Sequence, residues 1–151
     1  MERNRENFKN LGKNSKITYE YNKEILEAFE SEYTRSYLIN LDCFEFTSLC
    51  PVTGQPDFGS IKISYIPDKL CIESKSLKFY LASFRNVGIF HEDLVNTILD
   101  DLIELLNPKY IEVFGDFNSR GGIAIHPYAN YGIKNTKYED FAFEKLKNHT
   151  I

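Results

Sequence analysis

Cys50 stands where an alternating apolar stretch gives way to Cys50-Pro51-Val52-Thr53-Gly54-Gln55-Pro56-Asp57. Two prolines and a glycine cannot continue a strand, so a thiol at this junction can meet solvent or a ligand instead of packing. Free cysteine ionises near ~8.5, and a nucleophilic role therefore requires a base or a positive neighbour. Asp57, seven residues on, is placed to fold back toward the sulfur. The same pair also fits a small buried hydrophobe and a turn-forming aspartate.

A second group is Glu73-Ser74-Lys75-Ser76-Leu77-Lys78-Phe79-Tyr80. Lys75 and Lys78, three apart, share one face at the start of a helix, where free backbone N–H groups already favour anions. That arrangement suits phosphates; it also suits a solvated face. Glu73 ends an apolar strand and would be costly to bury unpaired. His91-Glu92 opens a later helix, where a glutamate complements the dipole or faces a ligand rich in N–H donors. Arg120-Gly121-Gly122 reads either as a tight turn or as an arginine on a glycine bend that can meet a phosphate closely.

Several chemistries are not supported. The chain has neither G-x-G-x-x-G nor G-x-x-x-x-G-K-[ST], and His91, His126 and His149 form no H-E-x-x-H pair. Cys43, Cys50 and Cys71 form no C-x-x-C, so zinc is poorly supported, and an odd count gives no disulfide framework. Eighteen basic against 22 acidic residues, with no Lys/Arg stripe, argue against direct nucleic-acid binding. No apolar run has the length to span a bilayer and nothing resembles a signal peptide, so a cytoplasmic location away from membranes is expected. At 151 residues, 42% of them hydrophobic, one domain with a sizeable core is expected.

The elements that must position these residues follow from periodicity. Residues 1–35 read as a polar arm in which Ile17, Tyr19 and Tyr21 alternate briefly, and Tyr21, Ile25, Leu26 and Phe29 suggest one short helix. Its aromatics need something to pack on, such as a neighbouring subunit. Residues 36–133 form the expected catalytic domain. Strands are predicted over Tyr37 to Leu49 and Phe58 to Ile66, with a short apolar segment from Leu70 to Glu73. Leu77, Tyr80, Leu81 and Phe84 then give a helical stripe, and Leu94, Val95, Ile98, Leu102, Leu105 and Leu106 a second. Strands follow at Tyr110 to Asp116 and Gly122 to Tyr128. Residues 134–151 read as a marginal helical tail packing on the same domain. The order β-β-α-α-β-β implies an α+β fold with antiparallel hairpins and helices on one face. The other sheet face needs company, which oligomerisation supplies most simply.

Taken together and in this order, the Cys50 to Asp57 segment, the Glu73 to Tyr80 segment and Phe90-His91-Glu92 resemble the motif set of the NADPH-dependent 7-cyano-7-deazaguanine reductases, the nitrile reductases of queuosine biosynthesis for tRNA modification. The resemblance spans about Tyr37 to Tyr128, and the E-S-K-S-h-K-x-[YFW] pattern is its distinctive part. It implies the short, single-module form of the tunnelling fold, in homo-oligomers of two stacked pentamers whose sites lie between subunits. It further implies that Cys50 is a nucleophile forming a thioimide, with Asp57 managing protons. Ile72 (through its backbone), Glu73, Ser74, His91 and Glu92 would bind the deazapurine. Lys75, Lys78, Arg120 and Gly121 would hold the phosphates of NADPH, two molecules of which are used per turnover, with no metal required. Two other readings compete. One is a pterin or purine hydrolase or synthase on the same fold, which would need His or Cys metal clusters; the other is a non-catalytic oligomer that binds a purine.

Overall fold

Period-two alternation becomes two long antiparallel strands in the computed structural model, which describes residues 18–150. The start of the expected arm, including Ile17 of its alternation, lies outside the described residues, as does Ile151. Strands β2 (Ile39–Leu49) and β3 (Pro56–Ile66) follow a three-residue strand, β1 (Ala28–Glu30). Then come β4 (Leu70–Ile72), helices α1 (Ser74–Ser83) and α2 (His91–Leu106), strands β5 (Tyr110–Phe117) and β6 (Tyr128–Gly132), and helix α3 (Lys137–Lys147). The main sheet has the order β2-β3-β5-β6, antiparallel throughout. This is the α+β arrangement expected from the order of elements.

The sheet buries one face. Ile61, Ile63 and Tyr65 of β3 and Ile111, Val113 and Phe117 of β5 pack against the stripes of α1 and α2, namely Leu77, Tyr80, Leu94, Val95, Ile98 and Leu102. Helices α1 and α2 both begin at an acidic signal. Glu73 caps α1, and Glu92 and Asp93 stand in the first turn of α2, whose positive dipole end they complement. Asn107 in the left-handed conformation (φ 42°) ends α2 just before Pro108. On the opposite face α3 covers the β5–β6 side, with the Tyr110 and Phe141 rings 4.7 Å apart.

Two expectations are corrected. The arm, expected to stand apart from residues 36–133, contributes to their core: Leu26 is buried there and β1 pairs with β4 from Ala28↔Ile72 to Glu30↔Leu70. In place of one short helix there is a single tight helical turn, Lys23–Ile25, leading into β1. The last strand runs over Tyr128–Gly132, not Gly122 to Tyr128. Its pairing with β5 begins only at Phe114↔Tyr128, because Pro127 has no N–H for a ladder and Gly121-Gly122 divert the chain at φ 58° and 80°. Ile123 and Ile125 are consequently exposed instead of buried in a strand.

Candidate active site

The end of β2 carries Cys50 into a closed turn. The Cys50 N–H donates to the Gln55 carbonyl (2.8 Å), and the Cys50 carbonyl accepts from the Gly54 N–H (2.9 Å). Gly54 takes the positive φ of 69° that this reversal demands. The half-buried sulfur lies among donors: the Thr53 hydroxyl first, then the backbone N–H groups of Thr53 and Val52, with a smaller contribution from Arg120. They outweigh desolvation and pull the thiol from 9.0 down to about 7. At pH 7 such a thiol is about half ionised.

Asp57 stands on β3 directly opposite Ser48 of β2 and is 5% exposed. One carboxylate oxygen accepts from the Arg120 guanidinium, whose other arm donates to Gln55 Oε1 (3.3 Å). The other oxygen faces His91 Nε2 at 3.4 Å. The imidazole lies flat on Phe117, with ring centroids 3.8 Å apart and planes 3° apart. Ser48 buries its hydroxyl completely, with no hydrogen-bond partner among the described residues. Arg120 reaches the site because the Gly121-Gly122 bend is locked by reciprocal Arg120–Ile123 backbone bonds of 2.9 and 3.0 Å.

The segment before α2 completes the site. Leu49 N–H donates to Val87 O (2.9 Å) and Ile89 N–H to Leu49 O (3.1 Å), which fastens the approach to α2 along the end of β2. Gly88 permits this, since a Cβ there would stand 3.2 Å from Pro51 Cα. A cavity of about 420 Å³ results, lined by Cys50, Asp57, His91, Glu92 and Arg120 with the apolar Ile89, Phe90, Ile123 and Ile125. Five of the residues singled out by sequence thus converge. The apolar rim, Ser48 and the donor Thr53 were not singled out. The alternating Ile123 and Ile125 mark the rim in the sequence, but alternation reads as a strand face.

The remaining candidates lie elsewhere in the chain. Ile72 N–H donates to the Tyr65 hydroxyl (3.1 Å) beside Glu73, whose carboxylate accepts from Lys75 N–H (2.9 Å) and Ser76 N–H (2.7 Å). The start of α1, expected to offer N–H groups to an anion, is therefore already capped by its own glutamate. Ser74 and Lys78 are exposed, and the Lys75 ammonium lies 5.7 Å from the centre of the Phe79 ring. Ten residues of α1, about 15 Å of helix, separate this group from the segment that returns to Cys50. Arg120 pairs with Asp57 at the far end, so within one chain Arg120 and Gly121 do not join Lys75 and Lys78 in a single phosphate cluster. Among the described residues no group of three or more His, Cys, Asp or Glu side chains is arranged for a metal, and no helix is long and apolar enough to cross a membrane.

A model of the QueF-like protein family matches residues 56–136. The NADPH-dependent 7-cyano-7-deazaguanine reductase of Streptococcus thermophilus (strain ATCC BAA-491 / LMD-9) is 56% identical, covering 97% of this chain and 93% of its own. The Bacillus cytotoxicus enzyme of the same name is 58% identical, covering 91% and 84%, and that of Bacteroides fragilis (strain ATCC 25285) is 57% identical, covering 92% and 93%. Among solved structures, the archaeosine synthase QueF-Like in its apo form matches with a TM-score of 0.59 at 25% identity, over 63% of this chain and 93% of that one. Fold, motif order and these identities agree: the chain belongs to the QueF-like family.

Proposed function

We propose that this protein reduces the nitrile of 7-cyano-7-deazaguanine to an aminomethyl group. The observation that carries the reading is the meeting of a thiol lowered to about 7 with the buried Asp57 carboxylate in one cavity. A nitrile carbon accepts hydride poorly, and addition of sulfur turns it into a better acceptor. The Cys50 sulfur bonds to the nitrile carbon as one C–N π bond opens. Asp57 takes the thiol proton and passes it to the nitrile nitrogen, giving a thioimide. NADPH, when bound, supplies the hydrides, two molecules per turnover. After the first, Asp57, reprotonated from solvent, delivers a second proton to nitrogen. The C–S bond then breaks with its electron pair returning to sulfur, which leaves an imine for the second reduction. The apolar rim and neighbouring chains exclude water that would hydrolyse this imine.

Glu92 offers two carboxylate oxygens to the N–H edge of the deazapurine, and His91 adds a hydrogen-bonding group beside it. Ile72, Glu73 and Ser74 complete the pocket from a second copy of the chain, because α1 keeps them from the Cys50 cavity of their own chain. Lys75 and Lys78 of that copy meet the cofactor phosphates. Intact mass spectrometry tests the reading: protein mixed with the nitrile and no NADPH gains the substrate mass, Cys50→Ala gains nothing, and added NADPH discharges the adduct. Adduct formation persisting in Cys50→Ala would overturn it.

A further inference from the structure

We infer that Phe117 is a positioning residue: its ring, seated over Gly115, is the platform that holds the His91 imidazole against the Asp57 carboxylate. The torsion that turns a histidine ring is broad and roughly two-fold, so the backbone of α2 does not set the plane of His91. Phe117 sets it, with ring centroids 3.8 Å apart and planes within 3°. In that plane the buried Nε2 faces one oxygen of Asp57 at 3.4 Å and makes no hydrogen bond among the described residues.

The platform is itself fixed. Phe117 is buried at the end of β5, and Gly115, two residues before it, lies on the same face of the strand. A Cβ on Gly115 would stand 2.5 Å from Phe117 Cε2 and 3.0 Å from Val95 Cγ2, so the ring fills the space that a side chain at 115 would need. Phe46 closes the ring edge-on, with centroids 6.2 Å apart and planes at 79°.

The consequence falls on Asp57. Arg120 donates to its first oxygen, so a proton taken up by the carboxylate sits on the second, which faces His91. A separation of 3.4 Å is longer than a closed N–H···O bond, and catalytic hydrogen bonds often tighten only once substrate is bound. Phe117 keeps the imidazole where that tightening needs only a small movement. The platform rests on geometry alone; its effect on the reaction rests on the nitrile reduction proposed above.

The test uses two full-length variants. Phe117→Leu removes the flat face, and Gly115→Ala keeps the ring but denies it its seat. Acylation of His91 by diethyl pyrocarbonate is followed by peptide mass spectrometry, with His126 and His149 as internal references. In both variants it is expected to rise about fivefold against the references, because the imidazole is no longer held in the stack. Nitrile adduct formation without NADPH is followed by stopped-flow absorbance. Its saturating rate is expected to fall about tenfold while the half-saturating nitrile concentration stays within about threefold, since the lost contact serves proton transfer. The double variant should match the slower single variant within about twofold, because both changes act through one ring. Should Phe117→Leu fail to fold, Gly115→Ala decides alone. Unchanged His91 acylation would overturn the assignment, as would a released His91 with an unchanged saturating rate. A defect confined to the half-saturating concentration would also overturn it, by placing His91 on the heterocycle. If the parent forms no adduct, the nitrile reading falls and acylation alone decides whether Phe117 holds His91.

Discussion

Asp57 and Arg120 form an ion pair in which the carboxylate is 5% exposed and the guanidinium 39%. A buried anion is thus met by a cation that reaches in from the surface. The partnership ties Arg120 to Asp57, the proposed acid–base group, where charge logic alone points it to phosphates. Arg120→Gln is expected to slow nitrile adduct formation without NADPH at least ~10-fold, because Asp57 loses the group that orients it. Stopped-flow absorbance of the adduct reads this directly. A defect confined to the KM for NADPH would return Arg120 to the cofactor.

The lowered Cys50 thiol makes reactivity depend on pH. Its alkylation rate is expected to rise through a midpoint near 7, where an unperturbed thiol would rise near 9.0. The linked effect on stability has a definite sign. Between about 7 and 9 the folded protein holds fewer protons than the unfolded chain, so this group's contribution is fully present above the unfolded value. It fades as the pH falls through about 7. Urea titrations of the parent and Cys50→Ser at pH 6, 7.5 and 9 measure it, and Cys50→Ser should lack this part of the slope.

Glu73 has a structural task whatever it binds. Both its oxygens hold N–H groups in the first turn of α1. Glu73→Ala is expected to cost about 0.5–2 kcal/mol, as loss of a helix cap does, read as a lower midpoint in denaturant. Glu73→Gln keeps an acceptor oxygen and should cost less.

The separation of Cys50 from Glu73 along α1 predicts complementation between copies. Cys50→Ala and Glu73→Gln proteins, each inert alone, are expected to recover about a quarter of the parental rate after 1:1 subunit exchange, since one pairing in four joins an intact Cys50 to an intact Glu73. Steady-state assay of the exchanged mixture checks it. No recovery after demonstrated exchange would confine each site to one chain.

Long periodic stretches were legible in the sequence. β2 and β3 run for eleven residues each and alternate over most of that length, with one register shift in β2 between Cys43 and Phe46, and α2 repeats its apolar stripe for four turns, so local pattern and burial largely agree. β1 was not legible, because three residues carry no period and Ala28–Glu30 becomes a strand only by meeting Leu70–Ile72. The cap of α1 was not legible, since glutamate is an uncommon cap and Glu73 reads as the end of a strand. In the site, Cys50 and Asp57, close in sequence, meet in one cavity. That Arg120 meets them there was not legible, because nothing local shows which end of α1 a bend 37 residues past its last residue, Ser83, will reach. Ser48 and Thr53 were passed over because single hydroxyls carry no pattern; each gains meaning only from its neighbours in space.

Gly88 lies against Pro51 so closely that the hairpin bearing the sulfur and the segment leading to Glu92 form one mount. On the proposed assignment, that mount works as a ruler. The gap between the bond-forming atom and the carboxylate that grips the heterocycle is fixed before any substrate arrives. Analogues whose cyano group sits on a longer or shorter arm would then be refused for their reach, even where ring recognition is intact.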